Sequence, residues 1–400
     1  MLFPNTGSCI DRSRSCRSWT RRLIPLLIVA GISGCAADTV RVAAFNIWEL
    51  RSEKLDDVDD AGIGLCPQLC NAAEIIQRVR PDILLIMEID FDPEKRDNAK
   101  KFISHYLRVS QHGQRAIDYP YQFFEPVNCG EPTGLDLDND GRPDGPADAQ
   151  GYGNYVGEYG MALLSRYPID KNAARTFRLL LWKDMPGNLM PDGSPDRPNW
   201  YSADEIAALR LSHKSHWDVP VQINGKLLHV LCTHPTPQIY DGPEDWNGRR
   251  NFDEIRFWAQ YISGAPDQST RYIRDDRGKD GILVANAKFV ILGDLNGDPI
   301  KHGSPYGVSS PNQLLDHPRI QDPKQTSIGG LADFLPGPPN CPERRTHDFG
   351  RIDYVLPSIG LRIVGSGVFW PAKSDPLVRL VDPDTGSSDH RLVWVDLQCD

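Results

Sequence analysis

Positive charge is in short supply in this chain: 44 Lys and Arg residues stand against 54 Asp and Glu, a formal net charge of −10. That balance argues against a broad basic surface holding nucleic acid by counterion release. It leaves room for a nuclease whose metal ions offset the charge of its substrate. A membrane-spanning run is also missing near the N-terminus, where the apolar segment Leu23–Ile32 has only ten residues and contains Pro25, against the roughly 20 that a bilayer needs. No internal repeat is visible. Cys66-Pro-Gln-Leu-Cys70 has neither a second cysteine pair nor neighbouring histidines, which argues against a zinc site. Apolar (40%) and charged (24%) residues occur in the proportions of a soluble globular protein, and 400 residues suffice for one large or two ordinary domains. The 34 Gly and 33 Pro gather between apolar runs, so long loops are expected.

Residues 1–35 read as a targeting segment. Arg12, Arg14, Arg17, Arg21 and Arg22 precede the apolar stretch, which then meets Ser33-Gly34-Cys35. A basic region, a short apolar region and small residues make a secretory signal. The ending Gly31-Ile-Ser-Gly-Cys35 resembles a bacterial lipobox, with Cys35 as the acylated first residue of the mature chain. Thr20-Arg-Arg-Leu-Ile-Pro25 faintly resembles a twin-arginine export motif. The expectation is an exported protein at the cell envelope, tethered to the membrane through Cys35, or else secreted. Cys66, Cys70, Cys129, Cys232, Cys341 and Cys399 then remain. An even number in an exported chain invites disulfides, from Cys66 to Cys70 or to a distant partner. Cys232, inside an apolar strand, reads equally as a buried thiol.

Residues 36–400 read as one domain. Val40 to Phe45 alternates as a strand, and Ile83 to Ile89 is a continuous apolar run of strand length, buried on both faces. Further strands are expected at 161–164, 219–223, 227–233, 288–292, 352–356 and 392–397. Asn224-Gly225 signals a tight hairpin turn. Helical spacing covers Asn71 to Arg80, Pro93 to Leu107 and Gly248 to Ile262, and Ser202 is a plausible cap of a short helix. Strands interleaved with helices, together with a hairpin, predict an α/β fold with mixed sheets. Two insertions interrupt the pattern: an Asp/Gly-rich one at 126–155 and a proline-rich one at 183–200.

Polar residues collect where strands end. Asn46, Glu88, His234, Asp294 and Asn296 follow apolar runs, Asp353 opens one, and Asp389-His390 precedes the last. A carboxylate at the end of a buried strand is costly unless something pairs with it, and in open α/β sheets ligands gather beyond the strands' carboxyl ends. Each such residue alone reads as a turn or a satisfied core group; their number favours a site.

In order, Phe45-Asn46, Met87-Glu88, Tyr159-Gly-Met-Ala-Leu-Leu-Ser-Arg166, Thr233-His-Pro235, Gly293-Asp-Leu-Asn296, Arg351-Ile-Asp-Tyr-Val-Leu356 and Ser388-Asp-His390 resemble the endonuclease/exonuclease/phosphatase superfamily. This deoxyribonuclease I-like group includes abasic-site endonucleases, sphingomyelinases and inositol polyphosphate 5-phosphatases. The resemblance implies a four-layer α-β-β-α sandwich of two mixed sheets, and a phosphoesterase using metal-assisted water attack. Glu88, with Asn46 and Asp389, would hold a divalent metal, and hard oxygen ligands favour magnesium, manganese or calcium. His390, oriented by Asp353, would act as general base or contact the phosphate. Asp294 and Asn296 would position water and a phosphate oxygen, and His234 would donate to the phosphate. The substrate would be a phosphorylated small molecule, a lipid headgroup or, in the alternative reading, extracellular nucleic acid. A monomer is expected. A non-catalytic, calcium-stabilised binding module on the same fold is the reading from another class.

Two features stand outside these motifs. Asp136, Asp138, Asp140, Gly141 and Asp144 match positions 1, 3, 5, 6 and 9 of a calcium loop, but position 12 is Ala147 and no helix precedes it. A lone structural DxDxDG loop for calcium is expected, with an acidic solvated turn as the alternative. Tyr159, His216, Arg249 and Arg250, with Lys214 and Arg256, are candidates for holding the rest of an anionic substrate. The alternative for the arginines is a helix terminus with a salt bridge to Asp253. Abasic-site endonucleases carry a tyrosine two residues before the strand's glycine; here that position is Glu158 and Tyr159 adjoins Gly160.

Overall fold

A computed structural model describes residues 39–191, 200–242, 244–300, 306–332 and 341–398. The targeting segment, Cys35, Cys399 and residues 192–199 of the proline-rich insertion lie outside them. Eleven strands occur among the described residues: β1 (Thr39–Leu50), β2 (Ile83–Ile89), β3 (Tyr121–Phe123), β4 (Gly160–Ser165), β5 (Arg175–Thr176), β6 (Trp217–Ile223), β7 (Lys226–Thr233), β8 (Lys288–Asp294), β9 (Asp353–Pro357), β10 (Arg362–Val368) and β11 (Val393–Gln398). They form a six-stranded sheet in the order β10-β11-β1-β2-β4-β3 and a five-stranded sheet in the order β5-β6-β7-β8-β9. Each sheet is antiparallel apart from one parallel pair, β1 with β2 and β7 with β8.

Alternation along the strands sorts side chains into layers. Val230 of β7, Val290 and Leu292 of β8 and Val355 of β9 pack with Val42, Ala44 and Leu85 of the first sheet in one core. Their neighbours Leu231, Phe289, Ile291, Tyr354 and Leu356 face the other way, against Ile255, Phe257, Trp258 and Tyr261 of the helix Trp246–Tyr261. The helix Pro67–Val79 buries Ala72, Ile75, Ile76 and Val79 against the first sheet. Helix, sheet, sheet, helix is the four-layer sandwich that the resemblance implies.

Local signals were mostly obeyed. Asn224 and Gly225, both left-handed, turn β6 into β7. Ser202 caps the helix Ala203–Ala208 by accepting from Glu205 N–H. The helix expected from Pro93 starts only at Asn98 and finishes as a π-turn over Ile103–Leu107. Asp92 caps a single turn, accepting from the N–H groups of Glu94 and Lys95 while its carbonyl accepts from Arg96 N–H, but Arg96 is left-handed, so that turn is not continued into the helix. β3, β5 and β10 were not anticipated; β10 is a Gly- and Ser-bearing stretch whose Gly367 lies against the Trp394 ring. Disulfides were expected, yet Cys66, Cys70, Cys129, Cys232 and Cys341 are all free thiols. Cys66 and Cys70 sit one helical turn apart, while Cys129 and Cys232 are enclosed in the core.

Candidate active site

The two parallel strand pairs end at the same edge of the sandwich, and their last residues meet there. Asn46 of β1 donates through Nδ2 to Glu88 Oε1 of β2 (2.9 Å) and, across the sheets, to Asp294 Oδ2 of β8 (3.3 Å). β8 and β9 pair antiparallel with Asp294 opposite Asp353. Asp353 in turn lies 2.9 Å from His390 Nδ1, on the loop before β11. His390 Nε2 is 3.7 Å from Asp294 Oδ2, and His234, just beyond β7, places Nε2 3.5 Å from the same oxygen. Asn296 N–H donates to Asp294 Oδ1 (2.8 Å), and its amide donates to the Pro235 carbonyl. Ser388 ties the His390 loop to β1 through the Asn46 carbonyl. Sequence-distant groups thus share one hydrogen-bonded cluster.

Backbone geometry there departs from ideal strands. Trp48, Glu49, Glu88, Tyr159 and Asn296 all have positive φ, and the β1/β2 and β2/β4 registers slip beside Glu88. Such bulges re-aim side chains, and here they point Glu88 into a cavity of about 760 Å³. Glu88, His234, Asp294, Asn296, Asp389 and His390 line it, as do Tyr159, Lys214 and Arg250. Gly293 lets β8 approach β7 closely: a Cβ there would meet the Thr233 carbonyl.

Burial and charge set the protonation pattern. Burial pushes the Asp294 carboxyl up to about 6 despite the nearby His390 charge, and Asp353 pushes the same way. Burial opposes charge on His390, but Asp353 and Asp294 outweigh it and lift the imidazole to about 10. Burial, with Lys214 and His390 close by, holds His234 well below the usual histidine range. Asp389 is pushed down to about 2: burial works against its charge, yet His347, 3.3 Å away, and His390 stabilise the carboxylate. At neutral pH the site therefore pairs a charged His390 with a neutral His234.

Two groups of possible metal donors lie in this cluster, His347–Asp389–His390 and Asp294–Asp353–His390. Glu88 belongs to neither group and connects through Asn46. His347 had escaped notice in the sequence. It sits on a tight turn six residues before β9, where its Nδ1 accepts from Phe349 N–H, so the ring proton of the neutral form resides on Nε2, facing Asp389. A third histidine so near the Asp353 strand was the available signal.

Several sequence candidates lie elsewhere. His216 is enclosed between Phe257 and Trp258, and neither ring nitrogen has a hydrogen-bond partner, so it is a core residue and not part of the cavity wall. Arg249 is buried away from the cavity, donating to the Glu244 carbonyl beside Tyr306. Arg250 reaches the cavity, but its guanidinium braces the carbonyls of Leu211, Gln150, Arg210 and Ser212. Arg256 forms the ion pair with Asp253. In the acidic loop, the carboxylates that converge are Asp136, Asp138 and the buried Asp148, within 4.8 Å of one another; Asp140 and Asp144 stay outside that group. Chain reversal at Pro146 brings Asp148 back toward Leu137, a contact that the linear calcium-loop spacing does not reveal.

A search of curated proteins finds no match to the chain. Among solved structures it is similar to an endonuclease/exonuclease/phosphatase from Beutenbergia cavernae DSM 12333, at 16% identity, covering 90% of this chain and 71% of that one, with a TM-score of 0.49. It is similar to the human Nocturnin catalytic domain at 13% identity, covering 90% and 93%, with a TM-score of 0.44. It is also similar to a mannosyl-6-phosphatase from Bacteroides thetaiotaomicron VPI-5482 at 14% identity, covering 90% and 99%, with a TM-score of 0.43. The sequence profile of the Endonuclease/Exonuclease/phosphatase family matches residues 43–390, nearly the whole span between the first and last strands, and the chain belongs to that family.

Proposed function

We propose that this protein is a metal-dependent phosphoesterase that hydrolyses a phosphate ester outside the cytoplasm. One observation carries the reading: Asn46, Glu88, His234, Asp294, Asn296, Asp353 and His390 converge in one cluster at the floor of one cavity. Asp294, raised to about 6 and so mostly ionised at neutral pH yet more basic than an ordinary carboxylate, is suited to take a proton from the attacking water. Asn296, whose N–H fixes the Asp294 carboxylate, offers an amide to a phosphate oxygen. His390, held charged by Asp353, donates to the oxygens on which charge builds in the transition state. His234, neutral, donates without adding charge.

The donor set fits a hard divalent cation. Glu88 accepts only from Asn46 and from Glu49 N–H, so lone pairs remain toward the cavity, and Asp389, charged and half-exposed, lines the same cavity. Glu88, Asn46 and Asp389 would hold magnesium, manganese or calcium, which as a Lewis acid would polarise the phosphoryl oxygen and stabilise the leaving group. The decisive experiment offers p-nitrophenyl phosphate, bis-p-nitrophenyl phosphate, plasmid DNA and sphingomyelin to the purified mature protein with each metal or with chelator. Hydrolysis that needs metal and disappears in N296A and H390A is expected; activity surviving chelation or either substitution refutes the mechanism. Export rests on the basic and apolar N-terminal pattern ending in Cys35. Palmitate labelling of the wild type and not of C35A is the expected result for a lipid anchor.

A further inference from the structure

Lys214 is 4% exposed and lines the cavity, and its side-chain nitrogen has no hydrogen-bond or ion-pair partner among the described residues. The segment carrying it is rigidly held. The Lys214 carbonyl accepts from Asn128 N–H (2.9 Å), His213 N–H donates to the buried Glu254 (2.7 Å), and the Ser212 carbonyl accepts from Asn128 Nδ2 (2.8 Å). Asp294, the acidic lining residue whose field reaches Lys214, already serves Asn296 N–H, Asn46, His234 and His390. A buried ammonium without a counter-ion is costly, and a lysine fixed beside the phosphate-binding groups is a point charge awaiting an anion.

The rest of the cavity carries the opposite character. Arg250 is engaged by backbone carbonyls, while Glu49, itself ion-paired with Arg51, and Asp138 stand on the walls. Trp48, Tyr152, Tyr240 and Phe349 expose aromatic faces at the mouth. A polyanionic strand would leave the Lys214 pocket only to meet carboxylates. Aromatic faces between carboxylate acceptors suit a neutral alcohol rich in hydroxyl groups, which presents C–H faces to the rings and donates to the acids.

Building on the phosphoesterase reading, we propose that Lys214 anchors the second negative charge of a dianionic phosphomonoester, and that the alcohol it carries is small, uncharged and hydroxyl-rich, of the sugar type. The water oxygen bonds to phosphorus, the ester P–O bond breaks, and the water's proton ends on the departing alkoxide, giving inorganic phosphate and the free alcohol. Lys214 is a specificity-determining residue in this scheme, because a diester monoanion lacks the charge that it binds.

The test compares the magnesium-loaded wild type with K214Q and K214R. Removing a charge-assisted contact predicts that K214Q loses about 100-fold in kcat/KM on p-nitrophenyl phosphate but less than about 10-fold on bis-p-nitrophenyl phosphate, with K214R recovering part of the loss. Inorganic phosphate should raise the Tm of wild type and not of K214Q, and hexose 6-phosphates should be turned over faster than nucleoside triphosphates. Equal losses on the two esters, or undiminished phosphate protection in K214Q, overturn the proposal. Phosphate protection that depends on Lys214 in a protein that turns over no ester would sink the phosphoesterase reading while leaving the anion site standing.

Discussion

Acid should unfold this protein through histidines that cannot take up a proton, and His216 isolates the effect. Its ring is fully enclosed by Phe257 and Trp258, at 4.6 and 5.3 Å between centroids, and burial pushes its pKa down to about 3, with only the Glu254 carbonyl and the distant Arg250 as polar influences. In the unfolded chain the imidazole titrates near 6.5. Between about 3 and 6.5 the unfolded state therefore holds a proton that the folded state lacks, and stability falls as the pH drops through that window. Each unit below 6.5 costs about 1.4 kcal/mol, so His216 alone removes about 2 kcal/mol between pH 7 and pH 5. His213 and His234, also fully buried and held well below the usual range, act with the same sign. Against a typical total of about 5–15 kcal/mol, the set brings the fold close to its limit in mild acid. Urea unfolding of wild type, H216F and H216L across this range measures the slope. Both variants should lose about one proton's worth of pH dependence, and whichever ring or chain packs better should match wild type near neutrality, since two unsatisfied nitrogens are removed. Stability curves for wild type and both variants that fall in parallel would refute the reasoning. Because His216 is walled off from the cavity, ester hydrolysis by H216F should stay within a few-fold of wild type.

N296A and H390A should each lower kcat by about 100- to 1,000-fold, the usual effect of losing one transition-state donor, with unchanged circular dichroism; a loss below ten-fold for both would dissociate them from the chemistry. Calcium at the Asp136–Asp138–Asp148 cluster should raise the Tm by a few degrees at about ten times its Kd, and D138A should abolish the rise. A melting temperature indifferent to both calcium and chelator would leave that loop an acidic turn. Since Asp138 also lines the cavity, calcium should steady the wall that the 126–155 insertion contributes.

The sequence disclosed the parts of the fold whose period was clean. β2 covers the expected run from Ile83 to Ile89, with Glu88 next to its end, and β8 closes at Asp294. Local chemistry also decided the failures. The left-handed Arg96 cut the helix after the one turn that Asp92 caps, and β10, with Gly365, Ser366 and Gly367, carries no apolar period because the Trp394 ring lies across it. At the site, residues at strand ends were legible because a polar group closing a buried run is itself a local anomaly. The surrounding walls were not. Lys214 and His216, two positions apart before β6, look equivalent in sequence; only the packing of the Trp246–Tyr261 helix encloses one and leaves the other facing the cavity. Asp148 likewise joins the acidic cluster through a chain reversal that spacing rules do not encode.

The local backbone at Glu88 offers a separate test of why sequence periodicity breaks at this spot. Glu88 sits at φ 64° as the next-to-last residue of β2, at the slip in register against both neighbouring strands. A non-glycine residue in the left-handed region costs about 1–2 kcal/mol, and nothing in the alternation of an apolar strand calls for it. The gain is an aimed carboxylate, fixed by Asn46 Nδ2 and Glu49 N–H. E88A and E88G both forfeit that carboxylate and its two hydrogen bonds, so the difference between them isolates the backbone. If the bulge is strain held in place by the surrounding sheet, E88G should be more stable than E88A by about 1 kcal/mol, even though glycine loses more entropy on folding. Should E88A prove as stable as E88G, the left-handed conformation would carry no penalty here, and the positive φ values that gather around the cavity would lose their meaning as a mark of function.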